Sequence, residues 1–174
     1  MKKLILIFCM ALLHTAAFCQ SFLTVKELLS LQNALHQKKV NAGQTILQNK
    51  GYTKIYERGK HDSYFYKNCK LVVPDDRVSE LNGVSVEATP KNGNATFIRV
   101  YHIPEDNYGA ITVTVYGKEN ALKWIGQLKE LGYRDNGEGG QGPRGRDWFY
   151  EKAGYPSISL WNDNGPTYVL GVDL

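Results

Sequence analysis

Residues 111–116 have the sequence Ile-Thr-Val-Thr-Val-Tyr, in which branched apolar side chains alternate with polar or amphipathic ones without a break. Successive side chains of a β-strand point to opposite faces of the sheet, so this period of two predicts a half-buried strand. We expect the isoleucine and the two valines to face a core, and the two threonines and the tyrosine to face the other side. The segment therefore predicts a sheet with one covered and one uncovered face.

Two segments earlier in the chain, residues 84–88 and 96–103, show the same alternation and predict further strands. On the uncovered face we expect side chains of the kinds found both on ordinary exposed sheets and on protein-binding surfaces. These side chains are Arg99, Tyr101, Thr112, Thr114 and Tyr116.

Two stretches about 80 positions apart resemble each other, namely residues 46–52 (ILQNKGY) and 127–133 (QLKELGY). Each is a predicted helix end closed by Gly-Tyr, because glycine adopts the left-handed conformation that ends many helices and the next residue packs back on the last turn. Aromatic strand patterns follow in both places, at 63–68 and 147–152. The recurring order predicts an internal duplication; the alternative is that a tyrosine-rich chain of helices and strands produces such matches by chance.

The first predicted helix begins at a capping-box pattern formed by Thr24 and Glu27. The pattern of apolar residues breaks over 38–43, before a short second helix that ends at Lys50. Along the first helix, apolar positions recur at helical spacing at Leu28, Leu31 or Gln32, and Leu35.

One helix is predicted in the second half, beginning near Lys118. Strands in hairpins with helices on one side give an antiparallel α+β fold. We therefore predict two related helix-plus-antiparallel-sheet units forming one compact body, with the first unit at residues 20–117 and the second at 118–174. The apolar stripe of the second-unit helix is expected at Leu122, Ile125, Leu128 and Leu131.

Residues 1–19 have the pattern of a secretory signal peptide, with Lys2 and Lys3 before an apolar run at 4–13. The run is shorter than the roughly 20 residues that span a bilayer, so we expect cleavage after Cys19, a periplasmic or secreted location and no transmembrane segment after cleavage. The alternative is cleavage before Cys19 with lipid attached there, which would make the protein an envelope-associated structural component. Phe18 stands where such a site prefers a small residue.

The composition, 43% hydrophobic and 22% charged, is that of a globular chain and excludes a disordered or collagen-like one. Removal of Lys2 and Lys3 leaves 19 Lys and Arg against 17 Asp and Glu, a net charge of +2. This small and scattered charge predicts no nucleic-acid partner. Of the three cysteines only Cys69 remains after cleavage, so an intramolecular disulfide is excluded.

The paired Gly-Tyr helix ends and the aromatic strands around Phe65 and Phe149 resemble small exported bacterial proteins of the β-lactamase-inhibitory-protein-like type. The resemblance implies tandem α+β units and a binding or inhibitor-like role. That family joins its units with disulfides, whereas this chain keeps one cysteine. No binding residue is carried over from the family.

The stretch 137–146 is rich in glycine and is expected to be a long hairpin tip, a place where binding residues are common. It is not followed by a helix, so a phosphate-binding loop is not predicted. Aromatic and arginine side chains dominate protein interfaces. We expect the uncovered sheet face and this loop to form a binding surface that includes Arg144, Arg146, Trp148 and Tyr150.

The sequence thus predicts an exported, non-catalytic binding protein whose partner is another protein. No cofactor and no metal site is predicted, because the histidines and cysteines lack the spacing of a zinc site. The alternative is a small thiol-dependent or hydrolytic enzyme centred on Cys69 and His61, in which the histidine would activate the thiol.

Overall fold

The computed structural model of the protein describes residues 22–58, 62–67, 69–72, 87–90, 96–103, 108–142, 145–162 and 165–173. The predicted signal peptide and residues 84–86 of a predicted strand lie outside these ranges. The described residues form helices α1 (Val25–His36), α2 (Val40–Asn49) and α3 (Lys118–Glu130), and strands β1 (Thr53–Arg58), β2 (Asp62–Lys67), β3 (Cys69–Val72), β4 (Glu87–Pro90), β5 (Thr96–Ile103), β6 (Tyr108–Tyr116), β7 (Arg134–Asp135), β8 (Gln141–Gly142), β9 (Gly145–Glu151), β10 (Ile158–Asn162) and β11 (Thr167–Asp173).

One antiparallel sheet dominates the fold, with strand order β1-β2-β5-β6-β11-β10-β9-β7. The short strand β8 pairs with β9 alongside β7, and β3 and β4 form a separate two-stranded sheet. Helices α1 and α3 pack against the central strand β11, and α3 also packs against β6. The predicted α+β class with an antiparallel sheet is therefore confirmed.

The centre of the sheet is the pairing of β6 with β11, which runs from Tyr116 opposite Thr167 to Ala110 opposite Asp173. β6 precedes the boundary predicted between residues 117 and 118, and β11 is the last strand of the chain. From this pair the strand order runs outward through β5, β2 and β1 on one side and through β10, β9 and β7 on the other. The sheet is therefore continuous across the predicted boundary.

The core lies between the helices and one face of this sheet. Ile111, Val113 and Val115 are fully buried there, as their alternation predicts. Their neighbours on β11 and β10 have the same orientation, because directly opposed residues of paired strands lie on one face. These neighbours are Val172 and Leu170 on β11, and Ile158 and Leu160 on β10.

The buried side of α3 differs from the predicted stripe. Leu122 is 55% exposed, whereas Ala121, Trp124 and Leu128 are buried. The indole of Trp124 decides this orientation, because its Nε1–H donates a 2.9 Å hydrogen bond to the carbonyl of Leu23 inside the core. A large buried ring with a satisfied donor outweighs the burial of one leucine.

Both Gly-Tyr pairs end helices as predicted. Gly51 has φ of 76° and Gly132 has φ of 83°, the left-handed conformation that glycine adopts without strain. The N–H of Tyr52 donates to the carbonyl of Leu47 at 3.1 Å, and the N–H of Tyr133 donates to that of Leu128 at 2.9 Å. Both tyrosine side chains are buried; the Tyr52 hydroxyl accepts from the N–H of Leu23 at 3.2 Å, and the Tyr133 hydroxyl donates to the carbonyl of Pro156 at 3.1 Å.

The predicted capping box at the start of α1 is present. The Thr24 hydroxyl accepts from the N–H of Glu27 at 3.2 Å, and the Glu27 carboxylate accepts from the N–H of Thr24 at 2.9 Å. The same carboxylate forms a 2.8 Å ion pair with Lys50, just after the end of α2. Burial alone raises the pKa of the Glu27 carboxyl, but the hydrogen bonds from Lys50 and Thr24 outweigh it and hold that pKa below its usual 4.5.

We predict that Glu27→Gln makes the unfolding free energy decrease less steeply as the pH falls below 4.5. The folded state favours the charged carboxylate, so its contribution is present above pH 4.5 and is lost as the pH falls through the lowered pKa. At pH 7 the variant should lose about 0.5–1 kcal/mol of unfolding free energy. Urea unfolding between pH 3 and pH 7 measures both effects.

The matched control is Glu130→Gln, which neutralises an exposed carboxylate at the end of α3. It should follow the wild-type pH profile. Parallel profiles of wild type and Glu27→Gln below pH 4.5 would contradict the role given to Glu27.

Candidate functional site

The helices lie on one side of the main sheet, and we call the other side the open face. Strand register assigns its side chains, because they alternate with the core residues along each strand. The described side chains of the open face include Tyr66, Phe97, Arg99, Tyr101, Thr112, Thr114, Tyr116, Asp147, Phe149, Ser159, Trp161, Gly171 and Asp173. The expected uncovered positions on β5 and β6 are all among them.

A row of directly opposed residues crosses the middle of the open face over five strands. It runs from Arg99 through Thr112, Gly171 and Ser159 to Phe149. The three central residues have small side chains or none, whereas both ends carry large ones. The surface of the open face is therefore recessed in the middle of this row.

Only glycine fits at position 171 in this recess without moving its neighbours. A Cβ atom at this position would lie 2.8 Å from Oγ of Ser159 and 3.0 Å from Cζ3 of Trp161. Non-bonded atoms do not approach so closely unless one of them moves. The Trp161 indole therefore occupies space that the side chain of any larger residue at position 171 would need. The glycine thus allows a tryptophan to lie across its neighbouring strand.

The result is an open depression of about 290 Å³, which we call the sheet trough. Phe149 and Trp161 form aromatic walls, and neither is fully buried. Ligand sites in proteins are concave and combine apolar walls with a few convergent polar groups. The other residues that line the trough are Ala110, Thr112, Ser157, Ile158, Ser159, Gly171, Val172 and Asp173.

The charged groups of the open face lie on opposite sides of the trough. Asp173 lines it, and Asp147 lies opposite Trp161 in the next row. On the far side, the guanidinium of Arg99 lies 5.0 Å from the ring centroid of Tyr101. The described lining of the trough therefore carries one carboxylate, that of Asp173, and the β5 side of the open face carries a cation stacked on an aromatic ring.

The predicted binding residues of β9 lie on the other face of the sheet. Arg146, Trp148 and Tyr150 are opposed to Asn162, Leu160 and Ile158, so they share the side of the core. Tyr150 is 3% exposed, and its burial, with a smaller effect of Asp135, raises the pKa of its hydroxyl. The ring of Tyr150 therefore belongs to the core and does not lie on the open face.

Trp148 is half-buried on that side, and the guanidinium of Arg146 lies 5.1 Å from its ring centroid. These two residues form a cation–π pair near the edge of the sheet, apart from the open face. Arg144, the fourth predicted binding residue, lies outside the described residues.

The glycine-rich stretch 137–146 contains a hairpin as expected, since β8 pairs with the start of β9, but its earlier residues also lie along β9. Asp135 is opposed to Tyr150 and Gln141 to Arg146, so five residues on one strand face three on β9. The N–H of Asn136 donates to the carbonyl of Phe149 at 2.9 Å, and the N–H of Asp147 donates to that of Gly140 at 3.0 Å. Residues 136–140 are therefore an irregular segment that lies along β9 between β7 and β8.

Sequence reasoning missed Phe149 and Trp161 as residues of the candidate site. Aromatic residues occupy both faces of β9, at Trp148, Phe149 and Tyr150, so the sequence there has no apolar–polar contrast to show which face is covered. The usable signal was Gly171 inside an apolar strand, since an interior glycine often marks a close approach by another group.

The described residues do not bring together the alternative enzyme site of Cys69 and His61. Cys69 is the first residue of β3 and is opposed to Pro90, and His61 lies outside the described ranges. Within the described part of the chain, no three His, Cys, Asp or Glu residues are grouped so that they could hold a metal ion. None of the described helices is both long enough and apolar enough to cross a membrane.

A second concavity, of about 500 Å³, lies on the helix side between α1 and the turn at 152–156. Its Lys152 ammonium already lies 3.9 Å from the ring centroid of Tyr155, and the Tyr133 hydroxyl donates to the carbonyl of Pro156 at 3.1 Å. These polar groups are engaged within the protein. The sheet trough, with its unblocked aromatic walls, is therefore the better candidate.

Comparison of the chain with protein-family models, with curated proteins and with solved structures finds no match.

We predict that Gly139→Ala destabilises the protein although Gly139 lies in a surface stretch. A Cβ atom there would collide with the backbone carbonyl of Asp147 and lie 2.9 Å from Cα of Trp148. Backbone atoms cannot move aside as a flexible side chain can, so we expect a loss of about 1–3 kcal/mol. Urea unfolding followed by circular dichroism measures it.

The matched control is Gly140→Ala, one residue further along the same stretch. No atom lies within 4 Å of a Cβ placed there, so the unfolding free energy should change by less than about 0.5 kcal/mol. Equal effects of the two substitutions would show that the stretch does not lie on β9 as described.

Proposed function

We propose that this chain is an exported, non-catalytic binding protein that recognises another protein through the open face, centred on the sheet trough. The observation that carries the proposal is an aromatic-walled depression on the uncovered side of a continuous sheet. Its export rests on the sequence pattern of residues 1–19.

The side chains of the open face support a protein partner. Tyrosine, tryptophan, phenylalanine and arginine are the residue types enriched in protein interfaces. They are amphipathic or planar and lose little conformational freedom on binding. On the open face they are Tyr66, Phe97, Arg99, Tyr101, Tyr116, Phe149 and Trp161.

The rigidity of the platform also supports the proposal. The strands that carry the trough are β6, β9, β10 and β11. They are paired in the order β6-β11-β10-β9 along their lengths. Ile111, Leu170 and Leu160 anchor these strands from the other side of the sheet. A surface that is already ordered loses less entropy on association than a mobile loop does.

We further propose that the two halves derive from one ancestral unit, as in proteins of the β-lactamase-inhibitory-protein-like type. The supporting observation is that each half contains a helix closed by Gly-Tyr and followed by strands of the main sheet, four in the first half (β1, β2, β5 and β6) and five in the second (β7 to β11). The trough takes Thr112 from the first half and Phe149, Ser159 and Trp161 from the second. Under this proposal, recognition arose at the junction between the copies.

We predict that Thr112→Arg removes partner binding without unfolding the protein. Thr112 faces the trough from the open side, so a long charged side chain fills the depression and leaves the core unchanged. Loss of a central contact of this kind costs about 2 kcal/mol or more, which corresponds to at least a thirtyfold weaker interaction. The measurement is quantitative mass spectrometry of proteins that the immobilised chain retains from the native exported fraction.

The matched control is Thr45→Arg, which makes the same change at an exposed position on α2, on the helix side. It should retain the same proteins as the wild type. Thermal unfolding of all three proteins separates loss of binding from loss of folding. Equal retention by Thr112→Arg and Thr45→Arg would remove the open face from the proposal.

A further inference from the structure

We propose that the sheet trough binds a basic side chain of the partner, arginine in preference to lysine. Its cationic group lies at Asp173 and its stem lies between Trp161 and Phe149. The inference rests on the proposed function, since it names the chemistry of the group that enters the trough.

The charge of the trough selects against anions and for cations. Asp173 is the ionisable residue that lines it, and Asp147, opposite Trp161, is a second carboxylate on the same face outside the lining. In the described part of the chain, neither carboxylate has an ion pair or a hydrogen bond to another side chain. A carboxylate or phosphate placed beside Asp173 would meet like charge, whereas a cation would meet an acceptor there.

The aromatic walls favour the same class of ligand. The faces of aromatic rings carry negative electrostatic potential and attract a cation that lies within about 6 Å of the ring centroid. Trp161 is the strongest aromatic partner of this kind. Its ring lies across Gly171, so it is held in place as part of the trough.

The shape of the trough favours a long side chain with a planar end. Arginine and lysine cover apolar surface with their methylene stems while the charged end stays near water. The hydroxyl oxygens of Thr112 and Ser159 lie in the floor and can accept hydrogen bonds. A guanidinium offers five N–H donors in a plane that stacks on an indole, so it fits these acceptors better than an ammonium does.

The test is a titration of the isotope-labelled protein with N-acetylarginine amide, followed by nuclear magnetic resonance. We expect shifts at the backbone N–H groups of Thr112, Ser159 and Gly171 and at the indole N–H of Trp161. N-acetylcitrulline amide is the control ligand, because it has nearly the same shape without the charge. It should bind at least fivefold more weakly, and added salt should weaken the binding of arginine amide alone.

Two variants locate the contact. Asp173→Asn should weaken arginine amide binding about two- to fivefold, as expected for an ion pair near the surface. Glu130→Gln removes a carboxylate from α3 and should leave the affinity unchanged. Phe149→Ala and Trp161→Phe should each weaken binding, and the fold of each is checked from the unchanged resonances of the core.

Several results would overturn the inference: equal affinity for the arginine and citrulline amides, unchanged affinity of Asp173→Asn, or shifts confined to residues away from the trough. Stronger shifts with a neutral sugar, methyl glucoside, would identify a saccharide site instead. The proposed function is judged separately. If arginine amide fails while Thr112→Arg still loses the partner, the open face remains the binding surface and only the basic side chain is excluded.

Discussion

The pairing of β6 with β11 determines the rest of the structure. Seven opposed residue pairs, from Tyr116–Thr167 to Ala110–Asp173, join the first half of the chain to its last strand. Because side chains alternate along a strand, a slip of one residue would move every buried side chain of β11 to the wrong face. The fully buried Ile111 and Leu170 fix this register, since exposing them would cost about 1.5–3 kcal/mol each.

The register has a consequence on each side of the sheet. On one side it forms the apolar surface on which α1 and α3 pack, and Trp124 and Leu23 are joined there by a hydrogen bond inside the core. On the other side it aligns Thr112, Gly171 and Ser159 in a row of small residues. The depression between aromatic walls follows from the same pairing that stabilises the protein, so the site and the core cannot be separated.

Local signals made much of the fold predictable from sequence. The capping box, the Gly-Tyr helix ends and the alternation of β6 each depend on residues within a few positions of one another. The candidate site was less predictable. On β9, aromatic residues lie on both faces, so the sequence pattern does not show that the face of Tyr150 is the covered one. The trough depends on contacts between β6 and β11, which are distant in sequence, and no local pattern specifies such a partner.

The register of β6 against β11 can be measured directly by nuclear Overhauser effects between backbone protons of the two strands. The described register predicts contacts between the opposed residues Thr112 and Gly171, and between Thr114 and Val169. Directly opposed pairs displaced by one residue, such as Thr112 opposite Leu170, would contradict it, because Leu170 would then lie on the open face and Gly171 would face the core. Absence of any contact between the two strands would show that the halves of the chain do not share a sheet.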